Sequence, residues 1–314
     1  MYNSISNKES VNMLFELSRA EFGNMISTGI YLPYLLYKSG LDVSAYTSVV
    51  FPEKWIADNY PKLLIGNVAR GPRQKGDIID KRSAEEFFFS HYPDSGLFRP
   101  MPVNGIPRSN PYVVLIPTVF GHAGNEKTGW RRYHSIEFRF WKQMSEEAKK
   151  RGYSVVGFGG SCSCSEQHLR EICDEYVYIS RDLVTPKNNI LYRQLQTMRN
   201  AKMCVGIGGT IHLSMCFDVP GLGYDGQIYS NYRRFSKLLA EQRETTLIYM
   251  PHGPTFENNV RKKLDLNVPR DPGLDDILRK TPKETAENIS AQWNQAVRYY
   301  WGQLLVDKFI QSIS

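Results

Sequence analysis

The chain predicts an α/β fold built on parallel sheets, and three observations predict it. From Tyr112 to Tyr224, apolar runs of strand length alternate with stretches of helical period. A shorter strand, helix, strand series opens the chain between Met13 and Val50. Between the two series, Pro100 to Pro111 concentrates proline, glycine and asparagine, the composition of a boundary. At 314 residues the chain is long for a single core. Two Rossmann-like parallel-sheet domains are therefore expected, over 1–107 and 108–282, with 283–314 as a helix or helices packing across them.

In the first series Met13 to Leu17 is the candidate first strand. Arg19 to Asn24 turns into a helix over about Met25 to Ser39, and Gly40 stands where a C-cap glycine would end it. Val43 to Val50 is the next strand, Trp55 to Tyr60 a helix and Lys62 to Ile65 a short strand. Residues 70–82 are charged and glycine-rich, hence a loop. Ala84 to His91 reads as a helix with Phe87 to Phe89 buried.

The second series runs through strand Tyr112 to Ile116, helix Ser135 to Arg151, strand Ser154 to Phe158, helix Ser165 to Asp174 and strand Tyr176 to Ile179. Helix Leu191 to Asn200 and strand Met203 to Ile207 continue it. In Ser135 to Arg151, the residues Ile136, Phe140, Met144 and Ala148 form one apolar stripe. From Lys283 to Ile313, Ile289, Trp293, Ala296, Val297, Tyr300, Leu304 and Leu305 recur at helical spacing.

The stretch 201–226 carries the clearest chemistry. The strand Met203 to Ile207 ends in Gly208-Gly209, Thr210 stands at a helix N-cap, and His212 follows in the first turn. A helix start exposes backbone N–H groups and partial positive charge, so this arrangement suits a phosphate or diphosphate. Close packing of helix on strand would also use two glycines. A second brief strand, Val219 to Tyr224, places the turn at the carboxyl end of a sheet.

Composition bounds the rest. Hydrophobic content of 41% and charged content of 23% describe a soluble globular protein. No run has the roughly 20 apolar residues of a membrane span, and MYNSISNKES lacks a signal-peptide core, so a cytoplasmic location is expected. The formal charge of +7 favours an anionic partner such as a nucleotide, an anionic glycolipid or nucleic acid, although acids and bases are interleaved. Five cysteines crowded between Cys162 and Cys216 argue against a disulfide framework. Cys162, Cys164, His168 and Cys173 can be drawn as a zinc set, but Cys-x-Cys is not finger spacing, and no metal site is expected.

Two α/β halves with a glycine turn in the second resemble the GT-B glycosyltransferases, specifically the heptosyltransferase family of lipopolysaccharide synthesis. The order of strand Val113 to Pro117, Arg131-Arg132-Tyr133, a helix and Ser154 to Gly160 is similar to that family's pattern. So is Val205-Gly206-Ile207-Gly208-Gly209-Thr210-Ile211-His212-Leu213 followed by Val219-Pro220, with a shorter turn that lacks the family's acid. The resemblance implies two domains facing a cleft, and a metal-independent transfer of a sugar from a nucleotide-sugar donor to a hydroxyl acceptor. It places Gly208, Gly209, Thr210 and His212 around the donor diphosphate, with Lys127, Arg131 or Arg132 as the cationic partner and Thr118 as a hydroxyl.

No cofactor is implied beyond the donor itself, and no Asp-x-Asp motif holds a metal. The acceptor is a glycan, a glycolipid or a modified nucleic-acid base. Glu21-Phe22-Gly23-Asn24 resembles the family's Leu-Gly-Asp turn, but an asparagine stands where the base would be. Asn24 cannot take a proton, so Glu21, His122, His134 or Asp77 is left as the base, with Asn24 an N-cap and Glu21 a solvated charge as the competing roles. A nucleotide-sugar epimerase and a non-catalytic binding protein are the alternatives.

Overall fold

The computed structural model describes residues 11–14, 29–47, 50–65, 86–90, 99–122, 135–160, 163–179, 190–207, 214, 216–217, 219–225, 246–249 and 302–314. Within them lie two parallel sheets. The first, ordered β1-β2-β3, comprises β1 (Val11–Leu14), β2 (Val43–Thr47) and β3 (Leu63–Ile65). Helix α1 (Leu32–Lys38) connects β1 to β2, and α2 (Glu53–Asn59) connects β2 to β3.

Proline in the first turn of α1 suits a position whose N–H has no intrahelical partner. At its other end Leu41 N–H donates to Leu36 O at 3.1 Å and Gly40 N–H to Tyr37 O at 3.0 Å, with Gly40 at φ +98°. This is the Schellman closure that the glycine predicts. Beyond it, α3 is a single turn over residues 86–90, in which Phe88 is buried and its two phenylalanine neighbours partly so.

The second sheet has the order β6-β5-β4-β7-β8-β9. Its strands are β4 (Tyr112–Ile116), β5 (Ser154–Gly160), β6 (Glu175–Ile179), β7 (Met203–Ile207), β8 (Gly221–Asp225) and β9 (Thr246–Tyr249), with every pairing parallel. Its helices are α4 (Phe138–Lys150), α5 (Glu166–Ile172), α6 (Ile190–Arg199) and α7 over residues 302–313.

The period of two along these strands sorts the core. Val113, Leu115, Val155, Met203 and Val205 face a cluster that includes α4, α5 and α7 through Trp141, Met144, Leu169, Ile172, Leu305 and Phe309. Tyr112, Val114, Ile116, Val156, Phe158 and Cys204 face the opposite cluster, with Leu191, Leu195 and Met198 of α6. This second cluster continues without a break into Ile30, Leu32, Leu36, Val43 and Leu63 of the first sheet's unit.

The connection between the sheets is packed on both sides. Tyr31 Oη donates to Arg99 O at 2.8 Å and Trp55 Nε1 to Pro102 O at 2.8 Å. Met101 N–H donates to Cys216 O at 2.7 Å and Ile106 N–H to Gln196 O at 3.2 Å. Met101 and Val103 are buried, and the Phe51 and Tyr192 rings meet edge to face at 5.1 Å.

Several boundaries differ from expectation. β1 includes Val11 and Asn12, ahead of the expected start at Met13, and the expected ends of β1 and β2 fall on or beyond residues that lie outside the described ones. The helical part described before Gly40 starts with a wide turn over 29–31. Ile136 is not helical: it forms a parallel bridge with Val119, and α4 starts two residues later. β5 runs on through Gly159 and Gly160, which pair with Tyr178 and Ile179. β9 has no counterpart among the expected elements, because four residues of strand composition carry no period. No helix among the described residues is long and apolar enough to cross a membrane.

Candidate functional site

Strand order locates the site. Numbered within its own half, the second sheet runs 3-2-1-4-5-6, because the chain builds outward from β4 through β5 to β6 and then returns to add β7 on the other side of β4. β4 and β7 are therefore the neighbours at which the strand order reverses, the position beyond whose carboxyl ends open α/β sheets bind ligands in a crevice. Ile116 of β4 pairs with Gly206 of β7. Thr118 lies two residues past Ile116, and Gly208-Gly209-Thr210, which follows β7 in sequence, lies outside the described residues.

The Thr118 side is held firmly. Ile136 N–H donates to Thr118 O at 3.2 Å and Phe120 N–H to Ile136 O at 2.9 Å, while Val119 N–H donates to Ser163 O at 2.8 Å. Thr118 is 7% exposed, a buried hydroxyl residue just past the strand end. A one-turn 3-10 segment then reverses the chain, with Gly121 at φ +84° and His122 N–H donating to Val119 O at 3.3 Å. His122 is partly buried, and its Nε2 has no hydrogen-bond partner among the described residues.

Beside it lies a histidine that sequence reading placed only in a zinc sketch. Ser165 Oγ accepts from His168 N–H at 3.1 Å and His168 Nδ1 accepts from Ser165 N–H at 3.2 Å, a reciprocal cap on α5. The usual partner at that position is glutamate or glutamine, so Ser-x-x-His was the available signal. The His168 ring stacks on Phe138 at 4.5 Å and meets the His122 ring at 5.9 Å and 76°. Burial first, and then His122, push the His168 imidazole below its ordinary value, against a smaller opposing pull from Glu171.

Two cysteines of that sketch, Cys164 and Cys173, are structural, and Cys162 lies outside the described residues. A side chain on Gly157 would strike Cys173 Sγ, and one on Gly159 would strike Cys164 Sγ, so both thiols fill the seam between α5 and β5. Burial pushes Cys164 up to about 11 and Cys173 up to about 12. Neither is a ready thiolate ligand, and His168 Nδ1 is occupied by the cap. Cys204 and Cys216 are buried, as the sequence predicts.

Several of the basic side chains described on this half pair with acids. Lys142 pairs with Glu171 at 2.9 Å, Lys149 with Asp174 at 2.9 Å, and Arg108 with Glu175 at 2.5 Å. Lys150 and Arg151 share Glu147 at 2.7 and 2.5 Å.

Of the expected site residues, the structure places Thr118 and His122 together at the end of β4. Glu21, Asn24, Asp77, Lys127, Arg131, Arg132, His134, Gly208, Gly209, Thr210 and His212 lie outside the described residues.

No protein-family model matches the chain, and no curated protein does. Among solved structures it is similar to ADP-heptose lps heptosyltransferase II of E. coli, at 9% identity and TM-score 0.36, over 77% of this chain and 93% of that one. A glycosyl transferase family 9 protein from Veillonella parvula DSM 2008 aligns at 11% identity and TM-score 0.41, over 84% and 91%. E. coli heptosyltransferase WaaC with ADP aligns at 9% and 0.38, over 74% and 99%. These likenesses are loose.

Proposed function

We propose that the chain is a metal-independent glycosyltransferase that moves a sugar from a nucleotide-sugar donor to a hydroxyl acceptor. The observation that supports this reading is the strand order, which sets β4 beside β7 at the reversal point beyond whose carboxyl ends open α/β sheets bind ligands in a crevice; Thr118 follows β4 in sequence and Gly208-Gly209-Thr210 follows β7. A nucleoside diphosphate is the ligand for which such a crevice is suited. Backbone N–H groups at a glycine turn and hydroxyls at strand ends donate to its oxygens without adding bulk.

The chemistry follows from that placement. As the bond between sugar and diphosphate breaks, negative charge grows on the leaving oxygen, and fixed donors and cations aimed at it lower the barrier. Thr118, Thr210 and His212 would donate, with Lys127, Arg131 or Arg132 as the cation. The absence of Asp-x-Asp from the sequence supports a mechanism in which these groups replace a metal. Asn24 leaves the acceptor's proton to Glu21, His134 or His122. Domain 1–107 would then present the acceptor and 108–282 the donor. A carbohydrate acceptor is preferred to nucleic acid, since Arg108, Lys142, Lys149, Lys150 and Arg151 around the second sheet are each engaged by an acid.

The test is a panel of nucleotide sugars, scored for binding and for slow hydrolysis in the absence of acceptor. Binding that Thr118→Val, Thr210→Ala and His212→Ala each weaken is expected. A panel without binding or turnover would end the reading, and conversion of donor to an isomer without acceptor would make the protein an epimerase.

A further inference from the structure

We propose that residues 99–106 form a strap that locks the two sheets' units in a single orientation, so that the protein takes up its ligand without a hinge motion between them. It holds whatever the ligand proves to be. Units joined in one chain move relative to each other by default, unless the contact between them is large and apolar. Three observations set this chain apart from that default.

The first is the order of the anchors. In a hinge, one stretch belongs to the first body and the next to the second, and the few residues between them absorb the change in φ and ψ. Here the attachments interleave. Arg99 O accepts from Tyr31 Oη of the first unit at 2.8 Å, and Met101 N–H donates to Cys216 O of the second at 2.7 Å. Pro102 O then accepts from Trp55 Nε1 of the first unit at 2.8 Å, and Asn104 O from Gln196 Nε2 of the second at 3.3 Å. Ile106 N–H completes the series on Gln196 O at 3.2 Å. From Arg99 to Asn104 the chain cannot turn without breaking a bond to one unit or the other.

The second is stiffness. Pro100, Pro102 and Pro107 have a fixed φ, and each restricts the residue before it, namely Arg99, Met101 and Ile106. The side chains of Met101 and Val103 are buried in the cluster that both sheets share, and rotation would draw them into water. The proline content that marks a boundary in the sequence thus marks a rigid one.

The third is close approach. A Cβ on Gly105 would strike the side chain of Asn200 just past α6, so the strap lies directly on that helix end. The glycine serves there to admit a neighbouring side chain.

The experiment measures distances between spin labels by pulsed electron resonance in the full chain. Cys162→Ser removes the cysteine outside the described residues, and the other four are buried. Lys54→Cys on α2 and Lys150→Cys on α4, both exposed, carry labels across the units. Lys150→Cys with Arg170→Cys on α5 is the control pair within one unit. Expected is an across-unit distribution as narrow as the control, whose mean moves by less than about 2 Å when ADP, UDP or inorganic pyrophosphate is added. Trp55→Phe keeps a ring but removes the donor to Pro102 O, and Gly105→Val pushes the strap off Asn200. Together they should broaden the across-unit distribution by more than about 2 Å and leave the control narrow. Should Gly105→Val not fold, Gln196→Ala takes its place by removing the donor to Asn104 O.

A broad distribution in the parent chain, or a ligand-induced move beyond that limit, overturns the locked orientation. Variants as narrow as the parent overturn the role of the strap. If none of the three anions binds, the nucleotide reading falls, while the width in the free chain still decides whether the units are locked.

Discussion

The contact between Phe51 and Tyr192 joins the two sheets' units, and breaking it measures how far they share one core. Phe51 is 2% exposed, its ring centroid 5.1 Å from Tyr192 on α6 and 4.5 Å from Trp55 on α2. Replacing either ring of the pair by leucine keeps most of the apolar volume, so each single substitution should cost no more than about 1.5 kcal/mol. The edge-to-face contact itself contributes about 0.5 to 1.5 kcal/mol beyond area. Phe51→Leu and Tyr192→Leu together should then be less destabilising than the sum of the two by about that amount, because the second substitution has no contact left to remove.

Urea unfolding read by tryptophan fluorescence and by far-UV circular dichroism gives the four free energies. Phe51→Leu with Trp55→Leu is the control, since that pair couples within one unit. Additivity of Phe51 and Tyr192 to within about 0.3 to 0.5 kcal/mol would refute the shared core. So would two separate transitions, of which Phe51→Leu moves only the first.

Thr118→Val should leave the fold intact and weaken nucleoside diphosphate binding about five- to tenfold, the loss of one hydrogen bond, as read by calorimetry. Stability should fall in mild acid. The folded chain disfavours the charged form of His168, so as pH drops below its ordinary value of 6.5 the unfolded chain takes up that proton first, and the contribution is lost as pH falls through the folded value. The urea midpoint against pH should flatten in His168→Asn, and an unchanged profile would remove His168 as the cause. Cys164 and Cys173, raised to about 11 and about 12, should resist iodoacetamide at pH about 8 until the protein is unfolded, by peptide mapping. Phe309→Ala, emptying a fully buried site on α7, should cost about 3 to 5 kcal/mol in the same urea assay.

What could be read beforehand divides along physical lines. Alternation of strand and helix predicts parallel pairing, and the pairing is parallel throughout both sheets. Neighbour order is another matter, because it depends on which sheet face each helix covers, and amphipathic stripes alone do not say. Hence the placement of β7 beside β4, which defines the crevice, appeared only in three dimensions.

The stripe Ile136, Phe140, Met144, Ala148 underestimated α4 for a related reason. A helix packed on a sheet buries one face, but α7 joins the same cluster, so Trp141 and Ser145 are buried as well. Ile136 fell on the stripe by spacing while its backbone bonds to Phe120 and Thr118. The place of Thr118 just past β4 was legible because the apolar run of that strand stops before it. His168 was not, because its role arises from a cap with Ser165 and a ring from another element.

Helix α7 has a consequence for the order in which the protein assembles. Val113, Leu115, Trp141, Met144 and Leu169 come from neighbouring stretches of chain and can meet early, yet the surface they form is closed by Leu305, Val306 and Phe309. Bringing so distant a segment back adds only logarithmically to the entropy of loop closure, so equilibrium stability suffers little. The rate is affected more, since contacts far apart in sequence slow folding. Until α7 arrives, an apolar wall of the second sheet stays wet, and this interval is when the folding chain is most open to association with its own kind.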